Sequence, residues 1–380
     1  MENYQICRAT MGDIEQIMSM IEYSRSLMRK RGNLSQWTGG YPSRQDIEAD
    51  IRAGNSHLLR CGDAVAGTFA LVEGLEPTYQ IIEGGWKDAP RPYGTIHRTA
   101  CAPGFHGIFA AALEWSRRQV ASLRIDTHAD NRVMLHLIQK LGFERCGIVY
   151  MDDGSPREAY QMLDTGCLCQ PLQQHIESNI IPLYDQFDAA HRRDHAESVI
   201  AESLRLAKYY TVEVNMVYTI AAYHDVGLCQ GREQHHIVSA QALQADEVLR
   251  RWFSPAQLAV MAQAIEDHRA SSGQEPRSIY GKIVAEADRD IRPEKIVRRT
   301  IQYGLSHYPT LSPEQHYQRA MQHLEEKYGS FGYLRLFLPE SDNSTHLARL
   351  REMIADPREL RTLLEQIYQE ETTMQNSNIS

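Results

Sequence analysis

The second half of the chain carries an ordered set of potential metal ligands: His195, the adjacent pair His224-Asp225, and Asp288. Imidazole nitrogen and carboxylate oxygen bind hard or borderline divalent cations. Groups so far apart in sequence meet only if the segments between them pack together, and this demand constrains the fold more than any other feature. The segments read as helices. Ile180, Ile181, Leu183, Tyr184 and Phe187 begin the first, within reach of the run HRRDHAESVI at 191–200. Val212, Val214, Val217, Tyr218 and Ala221 lead up to His224-Asp225. Further helices are predicted over 236–249, 255–267, 279–288, 313–328 and 346–369, and no stretch after residue 170 alternates like a strand.

At 380 residues, two domains are expected. A net charge of −9 argues against general nucleic-acid or anionic-membrane binding, which needs a basic face. The seven cysteines show no disulfide spacing, and no long apolar run occurs. A reduced, cytoplasmic protein without a membrane segment is the expectation. Oligomerisation is left open.

The local contexts of these ligands extend the pattern. Val199 follows His195 by four residues, and His224-Asp225 runs into Val226-Gly227. Asp288 lies between Ala287 and Arg289. His235-His236, Ser239-Ala240 and Asp267-His268-Arg269 fall between. This order resembles the HD superfamily of metal-dependent phosphohydrolases, over residues 175–370. The resemblance implies one or two divalent ions (Mn, Fe, Zn, Ni or Mg). His195, His224, Asp225 and Asp288 would hold the first, and His235 and His268 with Asp225 the second. Asp225 is then also the catalytic carboxylate. His236 rivals His235, which is preferred because Ser239 follows it by four residues. Arg269, Lys282 and Arg289 are candidates for phosphate contacts. The substrate class implied is a small phosphate ester or a nucleotide.

The first half alternates strands and helices. Strands are predicted over 4–9, 57–61, 64–72, 94–101 and 123–127, with a last one over 143–151. Helices are predicted to start at Met11, at Ser43 and after 107, and over the run carrying Met134, Leu137, Ile138 and Leu141. Residues 74–93 read as an irregular insertion, and 164–176 as a linker. Thr95 to Ala100, the glycine loop, and HADNRVMLHLIQKLGFERCGIVY at 128–150 resemble the GNAT superfamily of N-acetyltransferases. The resemblance implies acetyl-CoA as cofactor and an amine acceptor. Glycines before a helix let backbone N–H groups and the helix dipole approach a pyrophosphate. Gly104, Phe105, His106, Gly107, Ile108 and Phe109 would form this cradle, and Asn131 would lie beside the cofactor. Gly104 and Phe109 depart from the family's loop, which has Gln or Arg and a small residue there. Tyr150 resembles the tyrosine near the CoA sulfur and is taken as catalytic. Glu73 and His97 are expected on the acceptor side, shaped by Trp37 and Tyr41.

The expected fold class is multidomain α+β, with a GNAT-like mixed α/β domain at 1–166 and an all-α HD bundle at 167–380. The expected function is bifunctional, acetyl transfer plus phosphate-ester hydrolysis. The alternatives are a hydrolase regulated by a non-catalytic acyl-CoA-binding domain, and a metal-binding scaffold.

Overall fold

The computed structural model describes residues 4–87, 91–163, 166–187, 192–269 and 274–377. His191 and the first two linker residues lie outside them. The chain forms two compact units. The first holds Met1–Ser178 with Glu213–Asn215 and Asp246–Leu258; the second holds Asn179–Val212, Met216–Ala245 and Ala259–Ser380. All seven cysteines are free, and no described helix is long and apolar enough to cross a membrane.

The first unit is built on one sheet. Its strands are β1 (Gln5–Arg8), β2 (Ser56–Cys61), β3 (Ala64–Glu73), β4 (Ile82–Gly84), β5 (Gly94–Cys101), β6 (Ser122–Thr127), β7 (Glu144–Tyr150) and β8 (Pro156–Leu163), in the order β1-β2-β3-β5-β6-β8-β7-β4. Helices α1 (Ile14–Lys30), α2 (Arg44–Arg52), α3 (Ile108–Ser116) and α4 (Arg132–Lys140) cover it. Neighbouring residues Leu58 and Leu59 of β2 enter different apolar clusters. One contains Ile17 and Ile21 of α1, the other Ala112 and Leu113 of α3. Strand alternation thus feeds a core on each face. Ser43 opens α2 through a reciprocal capping box with Asp46.

One pairing sets up the site. Every adjacent pair in the sheet is antiparallel except β5 and β6. Those two run parallel and pair only at Gly94↔Leu123 and Thr95↔Arg124. Beyond Thr95 the ladder stops and the strands diverge.

Helices α5 (Gln170–Asn179), α6 (Arg193–Ala207), α7 (Val214–Tyr223), α8 (His235–Ala245), α9 (Pro255–Asp267), α10 (Ile279–Ala287), α11 (Pro293–His307), α12 (Pro313–Tyr328), α13 (Asn343–Ala355) and α14 (Pro357–Ser377) complete the chain. Leu206, Val217 and Ile283 join α6, α7 and α10 in one cluster. Val297, Ile301, Leu324, Leu350 and Leu364 join α11 to α14 in another.

Five expectations are corrected. The stretch 164–176, read as a linker, holds the start of α5 at Gln170. The strand ending near Met151 is not the last: β8 follows and lies between β6 and β7. The irregular insertion contains β4, paired with β7. Helix α11 was not foreseen, and the helix predicted over 346–369 is two helices. Pro357 lacks the N–H that would continue α13 and disfavours a helical residue before it. Asp356 is accordingly non-helical, with φ −105° and ψ 93°.

Candidate functional site

In the second unit, five segments deliver side chains to one point. His195 comes from the first turn of α6, His235 begins α8, His268 follows α9, and Asp288 ends α10. His224-Asp225 sits where α7 gives way to a short 3-10 turn at Val226–Gln230. Neighbours on a continuous helix point about 100° apart, and the break in the helix brings this pair together. Tyr184, fully buried, holds the break: its hydroxyl donates to the Ala222 carbonyl (3.0 Å) and accepts from the Asp225 N–H (3.2 Å). Gly227 lets α8 come close. A Cβ there would stand 2.3 Å from the His235 carbonyl oxygen, and the Gly227 N–H donates to Ser239 Oγ at 2.8 Å.

Asp225 divides the centre into two halves. Its Oδ2 lies 3.7 Å from His195 Nε2 and 3.4 Å from His224 Nε2. Its Oδ1 lies 3.4 Å from His235 Nε2 and 3.5 Å from His268 Nε2. Asp288 Oδ1 joins the first half, 3.2 Å from His195 Nε2. Within each half the imidazoles face each other, Nε2 to Nε2, at 3.3 Å. The opposite nitrogens, Nδ1 of His224, His235 and His268, meet the carbonyls of Ala221, Arg232 and Ile265 at 2.7, 2.8 and 2.6 Å. Donating Nδ1–H to a carbonyl fixes the tautomer and leaves Nε2 as a lone pair. Convergent lone pairs around a carboxylate fit a divalent cation in each half.

Electrostatics agree with that fit. Burial opposes charge on His224, yet the carboxylates of Asp225 and Asp288 outweigh it and push its pKa up to about 9. Burial also opposes ionisation of Asp225, but the imidazoles of His224 and His268 hold it well below the usual carboxylate range. Asp288, half-buried, is brought down to about 2 by its bond to His195. Protons make up for positive charge that the site is built to receive.

In the first unit, the divergence of β5 and β6 opens a cavity of ≈ 1140 Å³. Residues 96–101 of β5 line one side and 125–127 of β6 the other. The loop Gly104, Phe105, His106, Gly107, Ile108 and Phe109 closes one end, and Asn131 contributes from the start of α4. Gly104 and Gly107 have φ of +84° and +73°, a left-handed backbone that favours glycine. Gly107 caps α3, and the first N–H groups of that helix have no carbonyl of their own. Tyr4 ties the loop down, its hydroxyl donating to the His106 carbonyl at 2.7 Å. Asn131 accepts from the Met134 N–H (3.2 Å) and donates to Gln36 (2.9 Å).

The acceptor side differs in part from expectation. His97, Trp37 and Tyr41 line the cavity. Glu73 does not, and pairs with Arg251 at 3.2 Å. Glu76 is there instead, 3.3 Å from His97 Nε2, and this contact lowers its pKa. Tyr150 is also outside the lining; it is 40% exposed and its hydroxyl donates to Glu83 at 2.7 Å. A second unforeseen feature is a bulge. Arg98 and Thr99 of β5 face Phe69 alone on β3, and Arg98 has φ +51°. Its guanidinium pairs with Asp50 at 2.8 Å, facing the cavity. Of the three cations considered for phosphate, Arg269 donates to the Glu233 carbonyl and Lys282 pairs with Glu275, while Arg289 lies beside Asp288. His235, not His236, meets His268 and Asp225.

Residues 192–292 match the family model of the HD domain. The chain is 35% identical to a GNAT-family acetyltransferase from Streptococcus agalactiae, over 42% of this chain and 95% of that one, with a TM-score of 0.39. A GNAT-family acetyltransferase from Listeria monocytogenes is 19% identical over 42% and 94%, with a TM-score of 0.34. A ribosomal-protein-alanine N-acetyltransferase from Brucella melitensis is 19% identical over 42% and 99%, with a TM-score of 0.29. No curated protein matches the chain. With the identity to the streptococcal acetyltransferase running nearly the whole of that protein's length, and the HD match following in the same polypeptide, the chain belongs to the GNAT family in its N-terminal part and is a GNAT–HD fusion.

Proposed function

We propose that this chain is a bifunctional enzyme, a divalent-metal-dependent phosphohydrolase at the His/Asp centre and an acetyl-CoA-dependent N-acetyltransferase at the cavity between β5 and β6. We place the domains at 1–166 and 167–380. The observation that carries the hydrolase is Asp225, whose two oxygens address two separate pairs of imidazoles. His195, His224, Asp225 and Asp288 would hold one ion; His235 and His268, with Asp225, the other. A divalent ion supplies water acidified towards neutral pH and charge to offset the phosphate. The chain's own task is orientation. Backbone carbonyls fix three imidazoles, and Tyr184 and Gly227 fix the turn that carries the doublet. In the hydrolysis, water's oxygen bonds to phosphorus, the ester P–O bond breaks, and the alcohol leaves with a proton. Phosphatase assays on the chelated and metal-supplemented protein test this. Turnover that metal does not restore contradicts it.

For acetyl transfer, the N–H groups of residues 105–109 would hold the pyrophosphate of acetyl-CoA. The Glu76–His97 pair, not Glu73, is the acceptor-side candidate to take the proton the amine loses as the new C–N bond forms and the thioester C–S bond breaks. The position of Tyr150, bonded to Glu83 and outside the cavity lining, favours a second reading: an acyl-CoA-binding domain that regulates the hydrolase without transfer. Acetylation of any member of an amine panel supports the enzyme. Acetyl-CoA binding with no product across the panel supports the regulator.

A further inference from the structure

A second cavity, of ≈ 580 Å³, opens beside the metal centre; His195 and Asp288 line it. We propose that it holds the non-reacting part of the hydrolase substrate and selects a polyanionic organic phosphate without an aromatic base, of the sugar-bisphosphate class. This rests on the phosphohydrolase reading and narrows its substrate.

Three observations carry it. First, Arg289 lines the cavity directly after the ligand Asp288, with its side chain only 10% exposed. One guanidinium nitrogen, Nη1, donates to the Arg335 carbonyl and pairs with buried Glu286 at 3.8 Å, but the buried Nε has no hydrogen-bond partner. An unsatisfied buried cation donor beside a phosphate-handling centre suits an anionic ligand. Second, Arg292, Lys295, Arg299 and Gln302 line the same cavity, spaced three, four and three residues apart along the start and one face of α11. Asp290 is shared between Arg292 and Lys295, at 2.6 Å from each, so one carboxylate meets two cations. The carboxylate of Glu202 is occupied by Arg205 at 2.6 Å. No ion pair of Arg299 is found among the described residues. Third, the lining contains no Phe, Tyr or Trp; its aromatic rings are the small imidazoles of His195 and His346, and Val199 and Ala287 are its apolar members. A nucleobase needs an apolar or π face to lie on. A hydroxylated body with a second phosphate needs donors and cations; five Arg and Lys side chains line the cavity, beside five carboxylates that include Asp194 and Asp342, the latter 3.9 Å from Arg205. Lys295, Arg299 and Gln302 of α11 lie beyond residues 192–292, so α11 would add to what Arg289 and Arg292 supply from within the HD match.

Calorimetric titration of the full-length Mn-loaded protein tests the proposal, with fructose bisphosphate, fructose monophosphate, AMP and inorganic phosphate as probes. The bisphosphate is expected to bind at least about 10-fold more tightly than the monophosphate and AMP, since a charge-assisted contact is worth roughly that factor. Arg289→Gln and Arg299→Gln should each shrink the margin to under about 3-fold. Arg299 is exposed, so its variant remains informative if loss of buried Arg289 unfolds the chain. Arg358→Gln, on exposed α14 surface, should keep the full margin. AMP binding as tightly as the bisphosphate overturns the proposal, as does an unchanged margin in Arg299→Gln. If inorganic phosphate does not bind and no phosphate ester is hydrolysed, the phosphohydrolase reading falls and this inference with it. If phosphate binds without a bisphosphate margin, this inference alone falls.

Discussion

The two candidate sites are built by opposite means. The proposed metal centre is made of side chains, six of them from five segments. The cavity between β5 and β6 is made largely of backbone: a ladder that stops, a bulge at Arg98, and a loop turned by Gly104 and Gly107. The first should fail sharply when one residue changes. The second should tolerate most side-chain changes and fail where φ is constrained.

Replacing a ligand should break the contrast most visibly. His224→Ala is expected to lower metal-dependent hydrolysis by about 100-fold or more, with acetyl-CoA binding unchanged by calorimetry. Equal loss at both sites would mean the variant misfolds. A pair of variants sharpens the assignment of the second half: His235→Ala should remove about half of the bound metal, while His236→Ala should keep it all. Acidity should act on the metal centre in a defined direction. Without metal, His224 keeps its proton up to about pH 9. Metal binding must expel that proton, so affinity should rise about tenfold per pH unit between pH 7 and 9, with proton release measured by calorimetry. The metal-free fold should change oppositely. It holds a proton that the unfolded chain releases above its ordinary pKa near 6.5, so its stability should fall as pH rises from there through about 9. The smallest effect belongs to the cradle. Gly107→Val, at φ +73°, should weaken acetyl-CoA binding about tenfold by strain alone and leave metal content unchanged.

This contrast also explains what was legible in the sequence. Candidate side-chain ligands carry their chemistry in their letters, so His195, His224-Asp225, His235, His268 and Asp288, which the fold brings together, were nameable as a group before any fold, even though 93 positions separate the first from the last. Backbone sites show only through glycines. Gly104 and Gly107 flagged the loop, but nothing in ThrIleHisArgThrAla announced that Arg98 would sit in a bulge, because a bulge is set by the partner strand. Glu76 lay hidden in a stretch with no period. Strand β8 was missed because PREAYQML does not alternate. It is buried from Ala159 to Gln161, and buried Gln161 is satisfied by Ser122 Oγ and the Lys87 N–H, at 3.0 and 2.8 Å. Such a strand is stabilised by its neighbours and not by its own pattern. Tyr184 read as one apolar face residue among several. Its role in holding the Asp225 turn depends on an O–H that no periodicity can reveal.

The central claim is that Asp225 serves both halves of one two-ion centre. Metal content of the full-length protein, measured together with phosphatase activity for wild type and Asp225→Ala, tests it most directly. The account predicts two divalent ions per chain in the wild type, activity that depends on them, and loss of metal and activity together in the variant. Undiminished metal content in Asp225→Ala, or no metal in the wild type, would contradict it.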